Sequence, residues 1–274
     1  MTDTTSTVAG WQVERNASEA YERYLVPAIF ESWTKRLVET VDIRDNHDVL
    51  DVGCGTGIVA RRAAAEVGEG AVFGIDINER MLEVAQASAN EEGHGITWDQ
   101  ADVSDLPFED DRFDIVLCQQ AIQFFATPEA ALAELQRVLS PGGQGALSVW
   151  RPIAHQPGYG ILADALDQRI GADAGAVMRS PFPDWGGEQL RTLANSAGCI
   201  DPTVTIEIGS MRYPSVHEFV RREAAASPLS ESIASIDSAT RDEVVRAVRR
   251  NLESYTDDHG VTTPMESYVL TWGG

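Results

Sequence analysis

Residues 49–57 read Val-Leu-Asp-Val-Gly-Cys-Gly-Thr-Gly. Val49, Leu50 and Val52 suit a parallel strand covered on both faces, where aliphatic and β-branched side chains fill the pleat. Gly53, Gly55 and Gly57 then strip side chains from the turn into residues 58–67, which have helical spacing. A backbone cleared in this way can approach a ligand closely. Asp76 follows Gly57 by 19 residues, at the end of a second apolar run, Ala71-Val72-Phe73-Gly74-Ile75. In a βαβ unit a carboxylate there can bind the two hydroxyls of a ribose.

The glycine spacing separates two cofactor classes. A dinucleotide fold needs G-x-G-x-x-G, whose loop and helix N-terminus receive a pyrophosphate. Here the order is G-x-G-x-G, and Ile58 occupies the last position of the dinucleotide pattern. This disfavours a nicotinamide-dependent oxidoreductase. The pattern resembles the first motif of class I methyltransferases that use S-adenosylmethionine. Further segments extend the likeness in order: Ile75-Asp76-Ile77 with Met81-Leu82; Gln100-Ala101-Asp102-Val103 with Asp105-Leu106-Pro107-Phe108; Phe113 to Cys118; and Glu134, Arg137-Val138-Leu139 and Pro141-Gly142-Gly143. The group most resembled includes ubiquinone and menaquinone biosynthesis enzymes, and the likeness covers roughly residues 46–150. Ala101 departs from the pattern, because many relatives carry glycine there.

The resemblance implies a Rossmann-like α/β fold: a mostly parallel seven-stranded sheet, helices on both faces, an antiparallel last strand and helical lid insertions. It implies S-adenosylmethionine as cofactor, S-adenosylhomocysteine as its product and a small-molecule methyl acceptor. It places Asp51 at the methionine ammonium, Gly53, Cys54, Gly55 and Gly57 along the cofactor, Asp76 at the ribose with Ile77 and Met81 beside it, Asp102 and Val103 at the adenine, and Gln119 near the methionine end. A protein that binds the cofactor without catalysis is the alternative. Taken alone, Met81 and Leu82 read as core, on one apolar helix face with Val84 and Ala85.

Working outward, 43 acidic residues face 21 basic ones for a net charge of −22, and Lys35 is the only lysine. An acidic, lysine-poor surface stays hydrated where salt screens repulsion, so a salt-adapted, cytoplasmic protein is expected. Nucleic acid and anionic membrane are not expected partners. Cys54, Cys118 and Cys199 are odd in number and far apart, which argues against a disulfide framework and a metal cluster. No run reaches membrane-span length, and the opening Met-Thr-Asp-Thr-Thr-Ser-Thr lacks the character of a signal peptide.

The expected organisation is a single domain in three segments: residues 1–45 as tail and helical cap, 46–150 as cofactor core, and 151–274 completing the sheet with helical insertions over the acceptor pocket. Within it, residues 1–10 read as disordered and 18–40 as one or two helices broken near Pro27. Thr127 and Pro128 read as a helix start with a capping hydroxyl. Residues 145–150, 202–208 and 265–272 read as strands, and 216–226 and 239–255 as helical. His155, just past the fifth strand, is the candidate general base. His47, His94, His217 and His259 carry no motif. Tyr21, Tyr24, Trp33, Phe124 and Trp150 are candidates for the acceptor pocket, with one of Phe124 and Phe125 packing and the other lining the site.

Overall fold

Aliphatic side chains at 49, 50 and 52 bury the first strand at all four of its positions, and the computed structural model, which describes residues 15–229 and 236–274, builds the sheet outward from it. Residues 1–10, expected to be disordered, lie outside the described residues. The strands are β1 (Val49–Val52), β2 (Val72–Asp76), β3 (Ile96–Gln100), β4 (Phe113–Gln119), β5 (Leu139–Trp150), β6 (Ile200–Tyr213), β7 (Thr256–Asp257) and β8 (Gly260–Gly273). The helices are α1 (Arg15–Ala20), α2 (Glu31–Val38), α3 (Ile58–Ala64), α4 (Glu79–Glu92), α5 (Pro128–Val138), α6 (Pro157–Arg169), α7 (Ala172–Arg179), α8 (Gly187–Ser196), α9 (Val216–Ala225) and α10 (Ser238–Asn251).

The sheet runs β3-β2-β1-β4-β5-β8-β6, with the short β7 antiparallel to β8. β1 pairs in parallel with β2 and β4, and β4 with β5. The seven strands of this path match the expected number, and β7 is an addition. β6 and β8 run several residues beyond the 202–208 and 265–272 read from sequence. β5 begins at Leu139 rather than Gly145, because its register against β4 shifts between Phe113 and Ile115 and absorbs the Pro-Gly-Gly turn.

The described residues divide into two compact bodies interleaved along the chain. A sheet body comprises Glu31–Val149, Trp185–Glu207 and Ser267–Gly274; a helical body comprises the residues up to Phe30, Trp150–Asp184 and Ile208–Glu266. The three expected segments therefore do not coincide with packing units, since a strand that crosses from one body to the other belongs to both. In the sheet body Leu37, Val59, Ala60 and Ala63 form one apolar layer, and Leu132, Leu135, Leu190 and Ala194 belong to a second, so the sheet is covered by helices on both faces.

Two local expectations are corrected. The N-terminal helix does not break at Pro27. It passes through a wide-turn stretch, Tyr21–Phe30, whose looser hydrogen bonding tolerates the missing proline N–H. α5 starts at Pro128 as expected, but the Thr127 side chain makes no capping bond, leaving proline to fix the first turn. Among the described residues no helix is long and apolar enough to cross a membrane, and no group of three or more His, Cys, Asp or Glu side chains could hold a metal ion.

Candidate active site

The loop after β1 turns on three left-handed glycines. Gly53, Gly55 and Gly57 have φ of 65°, 54° and 81°, values that an L side chain resists. Two of the positions are also closed by packing: a Cβ on Gly53 would stand 2.5 Å from the Ala121 Cβ, and one on Gly57 would run into the Trp98 ring. Gly55 differs, because a Cβ there would meet nothing within 4 Å. The loop is pinned from below by Cys54 N–H to the Ile75 carbonyl at 2.9 Å and by Gly57 N–H to the Cys54 carbonyl at 2.8 Å. Arg61, 3% exposed, donates to the Thr56 carbonyl at 2.5 Å and pairs with Glu92.

Asp51 lies beneath this loop at 1% exposure. Its Oδ2 accepts the Ala60 N–H at 3.0 Å, whereas Oδ1 is buried with no partner among the described residues. Burial pushes the carboxyl up to about 7, opposed by the Ala60 N–H, reinforced by repulsion from Asp76 and eased by Arg61. Neighbouring Cys54 is an inert thiol, raised by burial and then by the two carboxylates.

Asp76 closes β2 and holds the loop together. Its Oδ2 accepts the Gly55 N–H and its Oδ1 the Asn78 N–H, both at 2.8 Å. Burial raises its pKa against the pull of the Asn78, Gly55 and Ile77 amides. Ile77 is 52% exposed, a large apolar side chain at the strand tip. On α4 Leu82, Ala85 and Ala89 face the core, while Met81 is only half-buried, so the core reading holds for Leu82 and not fully for Met81.

Exposed Asp102 uses Oδ1 twice, for the Ser104 N–H at 2.9 Å and its hydroxyl at 2.8 Å; the two bonds, backbone first, hold its pKa below the usual carboxylate value. Val103 beside it is half-buried. At the end of β4 the Gln119 Nε2 donates to the Thr34 hydroxyl at 3.0 Å. Trp33, on the preceding position of α2, is buried at 2% exposure, and Phe124 and Phe125 are both half-buried, Phe125 close to Gly53.

The structure thus brings Asp51, the glycines, Asp76, Ile77, Asp102 and Gln119 to the carboxyl ends of strands in one body, where open α/β sheets bind ligands. Tyr21, Tyr24, Trp150 and His155 belong to the helical body. There Tyr21 stacks on Phe30 at 5.0 Å, and Phe30 lies 6.3 Å from Trp150. Tyr24 is surrounded by the guanidinium groups of Arg23, Arg221 and Arg222, and its pKa is lowered first by a hydrogen bond with Arg221. His155 Nδ1 is 3.5 Å from Glu266 Oε2, an oxygen that also pairs with Arg151.

Sequence reasoning missed several polar residues. Gln120 and Gln123 stand one and four residues beyond Gln119, and the signal was the repeated glutamine in Gln119-Gln120-Ala-Ile-Gln123. In the helical body Glu223, 1% exposed, accepts hydrogen bonds on Oε1 from Tyr159 at 2.9 Å and Tyr213 at 2.6 Å. No local motif announced that triad, since its members come from three separate elements, with Tyr159 standing 64 positions from Glu223.

Comparison with known proteins bears on the family and the fold. Residues 49–143 match the family model described as a methyltransferase domain. A demethylmenaquinone methyltransferase of Symbiobacterium thermophilum is 31% identical over 224 residues, 71% of this chain and 88% of the relative. A ubiquinone/menaquinone biosynthesis C-methyltransferase of Bdellovibrio bacteriovorus is 34% identical over 146 residues, 53% of this chain, and the match spans 62% of the relative's length. The YcgJ protein of Bacillus subtilis superposes with a TM-score of 0.59 at 18% identity, covering 87% of this chain and 96% of that one, which shows a shared fold.

Proposed function

The chain belongs to the class I S-adenosylmethionine-dependent methyltransferases, and from that premise we propose that it transfers a methyl group in line to a small organic acceptor. The observation that carries this reading is the buried, unpartnered Oδ1 of Asp51 beneath three left-handed glycines. A buried carboxylate oxygen without a partner is costly, and a ligand ammonium group would satisfy it. The open space over Gly55 gives a ligand backbone-level access, and Asp76 retains acceptor capacity for ribose hydroxyls after its two bonds to loop amides.

When bound, the sulfonium cofactor supplies an already activated methyl carbon. Asp51 would neutralise the ammonium end, Gly53, Gly55 and Gly57 would allow close approach, Asp76 would hold the ribose with Ile77 and Met81 alongside, and Asp102 and Val103 would receive the adenine. Orientation of this kind can account for most of the acceleration. Where an acceptor must first lose a proton, the candidate for that step is His155 of the helical body, whose Nδ1 lies 3.5 Å from Glu266 Oε2. The acid-rich, lysine-poor composition supports function in a saline cytoplasm, which a loss of cooperative unfolding below molar potassium chloride would corroborate.

The test is calorimetric titration with S-adenosylmethionine, S-adenosylhomocysteine and NADH, in molar potassium chloride, of the wild type and Asp76→Ala. Micromolar affinity for the first two is expected, weakened by about 2–3 kcal/mol in the variant through loss of charged hydrogen bonds. NADH binding alone, or no binding at all, would overturn the assignment.

A further inference from the structure

Buried side-chain oxygens without partners are not scattered through the sheet body. Six of the seven, on Asp51, Thr56, Gln119, Gln120, Gln123 and Ser148, lie at or just beyond the carboxyl ends of β1, β4 and β5, and Gln136 on α5 is the exception. Asp51 and Thr56 belong to the glycine loop. The glutamines form a second group with its own logic.

The orientation of two of these amides follows from their partners. Gln123 Nε2 lies 2.9 Å from the Gln120 backbone carbonyl, which can only accept. Gln120 Nε2 lies 3.0 Å from Ser267 Oγ, whose one hydrogen is directed to the Val149 or Tyr268 carbonyl at 2.9 and 3.0 Å, so the serine accepts from the amide. Each NH₂ group is therefore held inside the protein, and each Oε1 is a fixed acceptor with nothing to accept. Gln120 is 6% exposed and adopts φ of 52°, a left-handed conformation that a glutamine in this position occupies at a cost. Its N–H to the Ser148 carbonyl at 2.9 Å holds it there. Strain together with orphaned acceptors marks a functional position.

We propose that Gln120 and Gln123 determine acceptor specificity: their amide oxygens receive hydrogen bonds from an N–H or O–H group at or beside the atom to be methylated. The substrate class is then an amine, phenol or hydroquinone that keeps this hydrogen while bound. Ligands offering only acceptor atoms would leave the two oxygens unpaired and be rejected. The inference rests on the methyl-transfer reading above, since it concerns the second substrate of that reaction.

The experiment uses two cofactor analogues. S-adenosylhomocysteine has no group at the methyl position, whereas sinefungin carries an amine in place of the methyl, a donor that presents N–H groups to the acceptor side. Wild type is expected to bind sinefungin about tenfold more tightly than S-adenosylhomocysteine. Gln120→Met and the less buried Gln123→Met should each remove most of that preference while S-adenosylhomocysteine affinity stays within about twofold, which also reports that the variant is folded. An unchanged ratio in both variants, or equal weakening of both ligands, overturns the proposal. Failure of the wild type to bind either analogue overturns the cofactor reading itself and this proposal with it. Labelled methyl transfer to matched acceptors, in which a donor beside the atom to be methylated, and not on it, is free or capped as a methyl ether or tertiary amine, gives a second readout. Free donors should be preferred in wild type and the preference lost in Gln120→Met; equal transfer to capped acceptors in wild type overturns the proposal.

Discussion

Asp51 in the sheet body and Glu223 in the helical body are each 1% exposed, and burial pushes each carboxyl up to about 7, yet their surroundings are opposite. Glu223 gives one oxygen to two phenols, Tyr159 and Tyr213, whose own pKa values are driven upward first by burial and then by that carboxylate. Rings surround it: Tyr159 lies 4.9 Å from Phe182 and 6.1 Å from Phe219, and Tyr213 lies 5.2 Å from Phe219. Asp51 has one backbone N–H and an empty oxygen. A buried acid satisfied from within the fold specifies packing; one left half-satisfied is, on the function proposed above, where a ligand from outside would complete it.

The largest effect expected from this contrast is on stability. Glu223 has its folded pKa raised above its ordinary 4.5, so its ionised form penalises the native state. The penalty is complete above about 7, shrinks as pH falls toward 4.5 and is gone below it. Glu223→Gln, which keeps an acceptor for both phenols, should therefore stabilise the protein by about 2–3 kcal/mol at pH 8 and by nothing at pH 4. Chemical unfolding at the two pH values measures this, with S-adenosylhomocysteine affinity unmoved throughout. Destabilisation at pH 8 would mean that the charge itself holds the phenols.

Asp51→Asn should separate the two acids. Its carboxyl is raised in the same sense, so asparagine also relieves the fold at high pH, but the variant should lose about 2 kcal/mol of cofactor affinity, or roughly thirtyfold. Wild-type affinity should also carry the titration. An ammonium group needs the carboxylate, and protons compete below about 7, so binding should weaken about tenfold per pH unit there and flatten above pH 8. The asparagine variant should show a flat profile. A flat wild-type profile would place the ammonium elsewhere.

The sheet body was legible in the sequence because its chemistry is local. Val49 to Gly57 states a strand and a glycine turn within nine residues, and Asp76 follows at the distance that one helix and one strand require. The apolar run at 71–75 likewise gave β2, and the family likeness at 113–118 gave β4. Gln120 was not legible, since its meaning lies in a left-handed backbone angle and a bond to Ser267, 147 positions away. The Glu223 triad joins α6, β6 and α9, and no periodicity records such a meeting. Pro27 misled because proline breaks an ordinary helix, whereas a wide-turn helix accommodates it.

The smallest expected effect on the fold is at Gly55, and it sharpens the comparison because it tests empty space rather than charge. Gly55→Ala adds a Cβ that meets nothing within 4 Å, so its only internal cost is the left-handed φ of 54°, about 1 kcal/mol for an L residue. Gly57→Ala places its Cβ against the Trp98 ring and 3.0 Å from the Ala85 Cβ, so it should cost more stability. Binding should reverse the emphasis. If the space over Gly55 is where the cofactor lies, the alanine methyl competes with it directly, and S-adenosylhomocysteine affinity should fall by more than about tenfold while the melting temperature moves only a few degrees. A thermal melt beside a binding isotherm separates the two. Equal affinity in Gly55→Ala would show that the open side of the loop faces solvent, leaving Asp51 without the ligand that its empty oxygen implies.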